Sequence, residues 1–65
     1  MKLSFDYTVT IPGGYATGFH IAKWCGDNSI RNKIDFKWQV DSIEKVVIFS
    51  FRNEKHATMA EKHCF

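Results

Sequence analysis

A single α+β domain of order β-α-β-β-α is what this 65-residue chain predicts, on three observations. The first segment alternates apolar and polar residues in steps of two from Lys2 to Ile11, as a half-buried strand does. A run near the end, "VVIFSF", is apolar on both faces, which marks a central strand. The final stretch "NEKHATMAEKHC" carries a capping asparagine and an apolar stripe at helical spacing.

In the first strand Leu3, Phe5, Tyr7, Val9 and Ile11 fall on one face, and Lys2, Ser4, Asp6, Thr8 and Thr10 on the other. Pro12-Gly13-Gly14 ends it. "YATGFHIAKWCGDNS" then admits two readings. As a helix, Tyr15, Gly18, Phe19, Ala22 and Cys25 form a stripe and Gly26 is the stop. As a strand, "PGG" is a hairpin turn and Tyr15, Thr17, Phe19 and Ile21 alternate, with Gly18 a poor fit to either. The helix is preferred because the apolar block runs on to Trp24 and Cys25 before Gly26-Asp27-Asn28.

"KIDFKWQV" alternates again, with Ile34, Phe36, Trp38 and Val40 inward and Lys33, Asp35, Lys37 and Gln39 outward. After Asp41-Ser42-Ile43, the last strand sets Val47, Phe49 and Phe51 on one side and Val46, Ile48 and Ser50 on the other. Asn53 caps the closing helix, Glu54 lies in its first turn and Lys62 in its last, as the helix dipole favours. Ala57, Ala60 and Cys64 form its buried stripe, with Met59 and His63 on the flank and His56 at the surface. A right-handed crossover joins the first two strands and the third slots antiparallel between them. The result is a three-stranded antiparallel/mixed sheet with both helices on one face, a ferredoxin-like split unit without its last strand.

A chain this short buries only about 60 % of the surface its unfolded form exposes. An isolated core of this size supplies roughly 3–5 kcal/mol, so small domains often add a metal, a disulfide or a partner subunit. The hydrophobic fraction of 45% and aromatic fraction of 15% suit a packed domain, and 65 residues leave too little chain for a core and a walled catalytic cleft together. Net charge is +2, from nine Lys and Arg against seven Asp and Glu, dispersed rather than gathered in the stripe of a dedicated nucleic-acid binder. No apolar run approaches a membrane span or a secretory signal, which leads us to expect a cytoplasmic protein with Cys25 and Cys64 as free thiols.

The chemistry-bearing residues do not assemble into a recognisable catalytic or metal motif. His20 and Cys25 are five apart, and His56 and His63 sit two helical turns apart, about 10 Å of rise, too far to grip one ion. A zinc held by Cys25, Cys64 and His56 or His63 is the remote option, and core thiols with surface histidines are expected instead. Both cysteines lie at helix C-termini, where the dipole disfavours a thiolate, so a Cys–His nucleophile is not expected. Asp27, Asp35, Asp41, Glu44, Glu54 and Glu61 fall on turns or exposed faces. No enzyme, cofactor or metal is therefore expected.

The open sheet face is the feature with a functional reading. It is expected to carry Lys33 and Lys37 around an apolar centre of Val46 and Ile48, a docking surface for a protein partner. The alternative is nucleic acid, with Lys2, Arg31, Lys33 and Lys37 reaching phosphates. Against it, Phe5, Tyr7, Phe36 and Trp38 share parity with the core, which leaves lysines without rings on that face. Either unpaired edge strand, the first or "KIDFKWQV", could also self-pair into a homodimer. "IAKWCGDN" followed by "VVIFSFRNEKHATMAEKHC" resembles the layout of small uncharacterised proteins encoded by tailed bacteriophages, over residues 18–64. Ala60 and Glu61 depart from that pattern, where a bulky apolar pair is usual. The resemblance brings no site residues and implies a phage product that binds and modulates a host protein in the host cytoplasm.

Overall fold

In the computed structural model, which describes residues 4–64, the elements are β1 (Tyr7–Pro12), α1 (Tyr15–Asp27), β2 (Phe36–Asp41), β3 (Val46–Phe51) and α2 (Glu54–Cys64). Lys2 and Leu3, expected to open the first strand, lie outside the described residues. The three strands form one sheet in the order β1-β3-β2, with β3 antiparallel to both neighbours. The β-α-β-β-α order and the central place of β3 are as expected.

One buried cluster holds the domain together: Val9 and Ile11 from β1, Phe36 from β2, Val47, Phe49 and Phe51 from β3, Ile21 and Cys25 from α1, Ile30, and Ala57 and Ala60 from α2. α2 lies over β1 and β3, and α1 over β2 and β3. The registry that buries Val47, Phe49 and Phe51 is thus the one adopted. Directly opposed rings line this inner face. Phe36 faces Phe51 at 5.8 Å between centroids, and Trp38 lies nearly parallel to Phe49 at 5.7 Å and 10°. Such pairs are worth about 0.5–1.5 kcal/mol each beyond the area they bury.

Four sequence expectations shift. β1 begins at Tyr7, not Lys2, and Ser4, Phe5 and Asp6 precede the ladder. α1 is a helix, but its buried residues are Gly18, Ile21 and Cys25, whereas Tyr15 and Phe19 are 63% and 64% exposed. At about 100° per residue this rotates the stripe by roughly 50° from the expected one. The cause is Trp38, whose ring occupies the space above Gly18 and pushes the aromatic side of α1 outward.

The helix also runs through Gly26 to Asp27. Its stop is a Schellman turn, with Ile30 N–H donating to Cys25 C=O at 2.8 Å, Ser29 N–H to Gly26 C=O at 3.1 Å, and Ser29 in the left-handed region at φ 63°. Ile30 and Cys25, the two residues such a turn brings together, are both fully buried. Finally β2 starts at Phe36, because Arg31–Asp35 fold into a turn in which the Asp35 carboxylate accepts the Arg31 N–H at 2.9 Å. α2 begins as expected, with Asn53 Oδ1 accepting the Lys55 N–H at 2.8 Å.

Candidate functional site

Because β3 is paired on both sides, its outward residues sit at the centre of the uncovered sheet face. The register sets Ile48 between Thr10 and Gln39, Val46 between Pro12 and Asp41, and Ser50 between Thr8 and Lys37. Val46 and Ile48 are half-buried, and a shallow depression of about 190 Å³ lies beside Ile48, Ser50, Lys37 and Gln39. Of the sequence-predicted site residues, Lys37, Val46 and Ile48 therefore share this face. Lys33 does not join their row. It sits in the turn before β2 at φ 66°, with its N–H donating to Phe36 C=O at 2.7 Å.

The expectation that this face lacks rings needs one correction. Phe5 precedes the strand and escapes its alternation, and the Lys37 ammonium lies 5.3 Å from its ring centroid. The Phe5 ring is half-buried, and a cation over such a ring near the surface contributes about 0.5–1 kcal/mol. Phe36 and Trp38 stay on the helix side, as their parity requires.

A second surface was not legible as a site in the sequence. Tyr15 and Phe19 pack their edges against Trp38, at 6.4 Å and 5.2 Å between centroids, and remain exposed along the outer flank of α1 beside β2. The available signal was breadth. Tyr15, Phe19, Ile21, Ala22, Trp24 and Cys25 together span too wide an arc for one buried stripe.

The histidines and cysteines gather at one end only in part. His63 stacks on Trp24 at 4.4 Å and 9°, and lies 6.5 Å from His20, above an open groove of about 560 Å³ that Cys64 also lines. His56 is at the other end of α2, near Tyr7 and Asp35, with its Nδ1 buried and without a hydrogen-bond partner among the described residues. Cys25 and Cys64 are free. Burial, and then the neighbouring Cys64, pushes the Cys25 thiol up to about 11, and burial also raises Cys64, so both are held as neutral thiols rather than nucleophiles. Asp35 is shifted the other way, its carboxylate held below the usual range by the Arg31 N–H and guanidinium. Among the described residues no group of three or more His, Cys, Asp or Glu is arranged to hold a metal ion, and no helix is long and apolar enough to cross a membrane. No protein-family model, curated protein or solved structure matches the chain.

Proposed function

We propose that this chain is a non-catalytic interaction module that docks a protein partner on the open face of its sheet. The observation that carries the reading is the pair Val46 and Ile48, apolar, half-buried and centred on β3, ringed by Thr8, Thr10, Gln39 and Lys37. An apolar centre with a polar, mildly basic rim is the anatomy of a protein interface. The resemblance to tailed-phage proteins suggests a bacterial host protein as the partner, and the free thiols suit a reducing cytoplasm. Association through a sheet edge would engage Lys37 at the rim but leave Val46 and Ile48 uncovered.

Single-stranded nucleic acid is the second reading. One observation favours it: the Phe5 ring beside the Lys37 ammonium, a stacking platform with a phosphate contact at its rim.

A tagged pull-down from bacterial lysate, with and without nuclease, separates the two. Protein docking predicts one stoichiometric, nuclease-resistant protein, retained by the wild type and lost by Ile48→Glu, whose far-UV circular dichroism should stay native. Capture that disappears with nuclease, or binding that falls steeply with salt, replaces this reading with the nucleic-acid one.

A further inference from the structure

We infer that a second copy of this chain pairs along the free edge of β2, antiparallel, with Trp38 opposite Val40 of the second copy. This inference stands apart from docking on the open face, since it leaves Val46 and Ile48 uncovered.

The free edge can be read from the backbone. In an antiparallel ladder the N–H and C=O of one residue point to the same side, and successive residues alternate sides. Asp35 C=O accepts the Arg52 N–H at 3.0 Å, so Asp35, Lys37, Gln39 and Asp41 face β3. Phe36, Trp38 and Val40 therefore face away from it. Phe36 is already satisfied, since its N–H donates to Arg31 C=O at 3.3 Å and its C=O accepts from Lys33 N–H at 2.7 Å. Among the described residues, Trp38 and Val40 are left with outward N–H and C=O groups and no strand beyond them. Such a row is a template for another chain.

One register uses all of these groups. With Trp38 opposite Val40 about a two-fold axis through Gln39, each of the two equivalent Trp38–Val40 pairs exchanges two hydrogen bonds. Lys37 then lies opposite Asp41 of the second copy on the open face, twice, in the pair type that brings side chains closest. Asp41 Oδ1 already accepts the N–H groups of Ile43 and Glu44 at 3.0 and 3.1 Å, and neither of these bonds uses its other oxygen. Sliding one way sets Trp38 against itself, needs the Phe36 groups already taken, and opposes Asp35 to Asp41. Sliding the other way sets Trp38 against Ser42, which lies in the hairpin turn, and Lys37 against Ile43.

The helix side of the same seam supplies the apolar component. Trp38 would lie beside Val40 of the second copy, with the exposed Tyr15 and Phe19 of each copy flanking the join. The β1 edge has no equivalent apolar seam. Its outward backbone groups belong to Thr8, Thr10 and Pro12, proline offers no N–H, and the inner residues Val9 and Ile11 are already buried.

Sedimentation equilibrium over a concentration series, with three variants, tests the pairing. The wild type should dimerise. Val40→Pro deletes an outward N–H without removing a bond to β3 and should give a monomer, native circular dichroism showing that the fold tolerates loss of the half-buried Val40 side chain, while Lys37→Glu, which opposes Asp41 with a like charge, should weaken the dimer about tenfold or more at low salt and less at high salt. In a mixed-label sample, a nuclear Overhauser effect between Lys37 Hα and Asp41 Hα fixes the register, since within one chain these atoms are about 13 Å apart. A wild type that stays monomeric at millimolar concentration overturns the inference. So does a dimer that survives Val40→Pro and is lost in Thr10→Pro.

Discussion

Gly18→Ala is the most discriminating single change in this fold. In an ordinary helix interior the substitution stabilises by about 1 kcal/mol, because glycine has more backbone freedom to lose. Here the new methyl would stand 2.7 and 2.8 Å from Cε3 and Cη2 of Trp38, and closer still to Cζ3. Carbon atoms prefer about 3.5–4.0 Å, so the indole must retreat by about 1.5 Å to clear its nearest carbon. It has little room to do so, being stacked on Phe49 at 5.7 Å and held at its edges by Tyr15 and Phe19. Overpacking of this kind costs about 1–3 kcal/mol, which outweighs the propensity gain and leaves a net loss near 1 kcal/mol. For a domain of this size that lowers Tm by about 4–8 °C in a thermal melt. The control is Trp38→Leu, which removes the ring. In that background Gly18→Ala should stabilise by about 1 kcal/mol, so the double-mutant cycle should show a coupling near 2 kcal/mol. A rise in Tm for Gly18→Ala alone, or an equal effect in both backgrounds, would refute the close packing of ring and helix.

Three further outcomes can be measured on the same protein. Asn53→Ala should cost about 1 kcal/mol in urea unfolding, since it removes the oxygen that accepts the Lys55 N–H at the start of α2. Ser29→Gly should raise stability by about 0.5–1 kcal/mol, because Ser29 holds a φ of 63° that glycine adopts freely. Alkaline pH should destabilise the fold through Cys25. Its thiol is raised from 9.0 to about 11, so the contribution is complete below the unfolded value and is lost as pH rises through that window. The stability slope there approaches about 1.4 kcal/mol per pH unit, and Cys25→Ala should flatten it; an unchanged slope would contradict burial of this thiol.

The sequence alone determined the order of elements, the central place of β3 and the caps of α2. Each rests on a local signal: period-two alternation in "YTVTI" and "FKWQV", a doubly apolar run in "VVIFSF", and an asparagine before "EKHATMAEKHC". The same alternation identified Lys37, Val46 and Ile48 as neighbours on one face, since strand parity survives any detail of packing. Tertiary structure alone decided the rest. Where α1 turns its face depends on the Trp38 ring lying over Gly18, a contact twenty residues apart in sequence that no helical period encodes. Lys33 left the row because the Asp35 carboxylate closes a turn on Arg31, a hydrogen bond that wins over the β-alternation of "KIDF". Phe5 came to lie by Lys37 because the chain leaves the ladder before Tyr7. The edge left open on β2 is likewise a property of the sheet. Which of its backbone groups remain unpaired follows from the register with β3 and the turn that caps Phe36, and side-chain pattern carries no record of either.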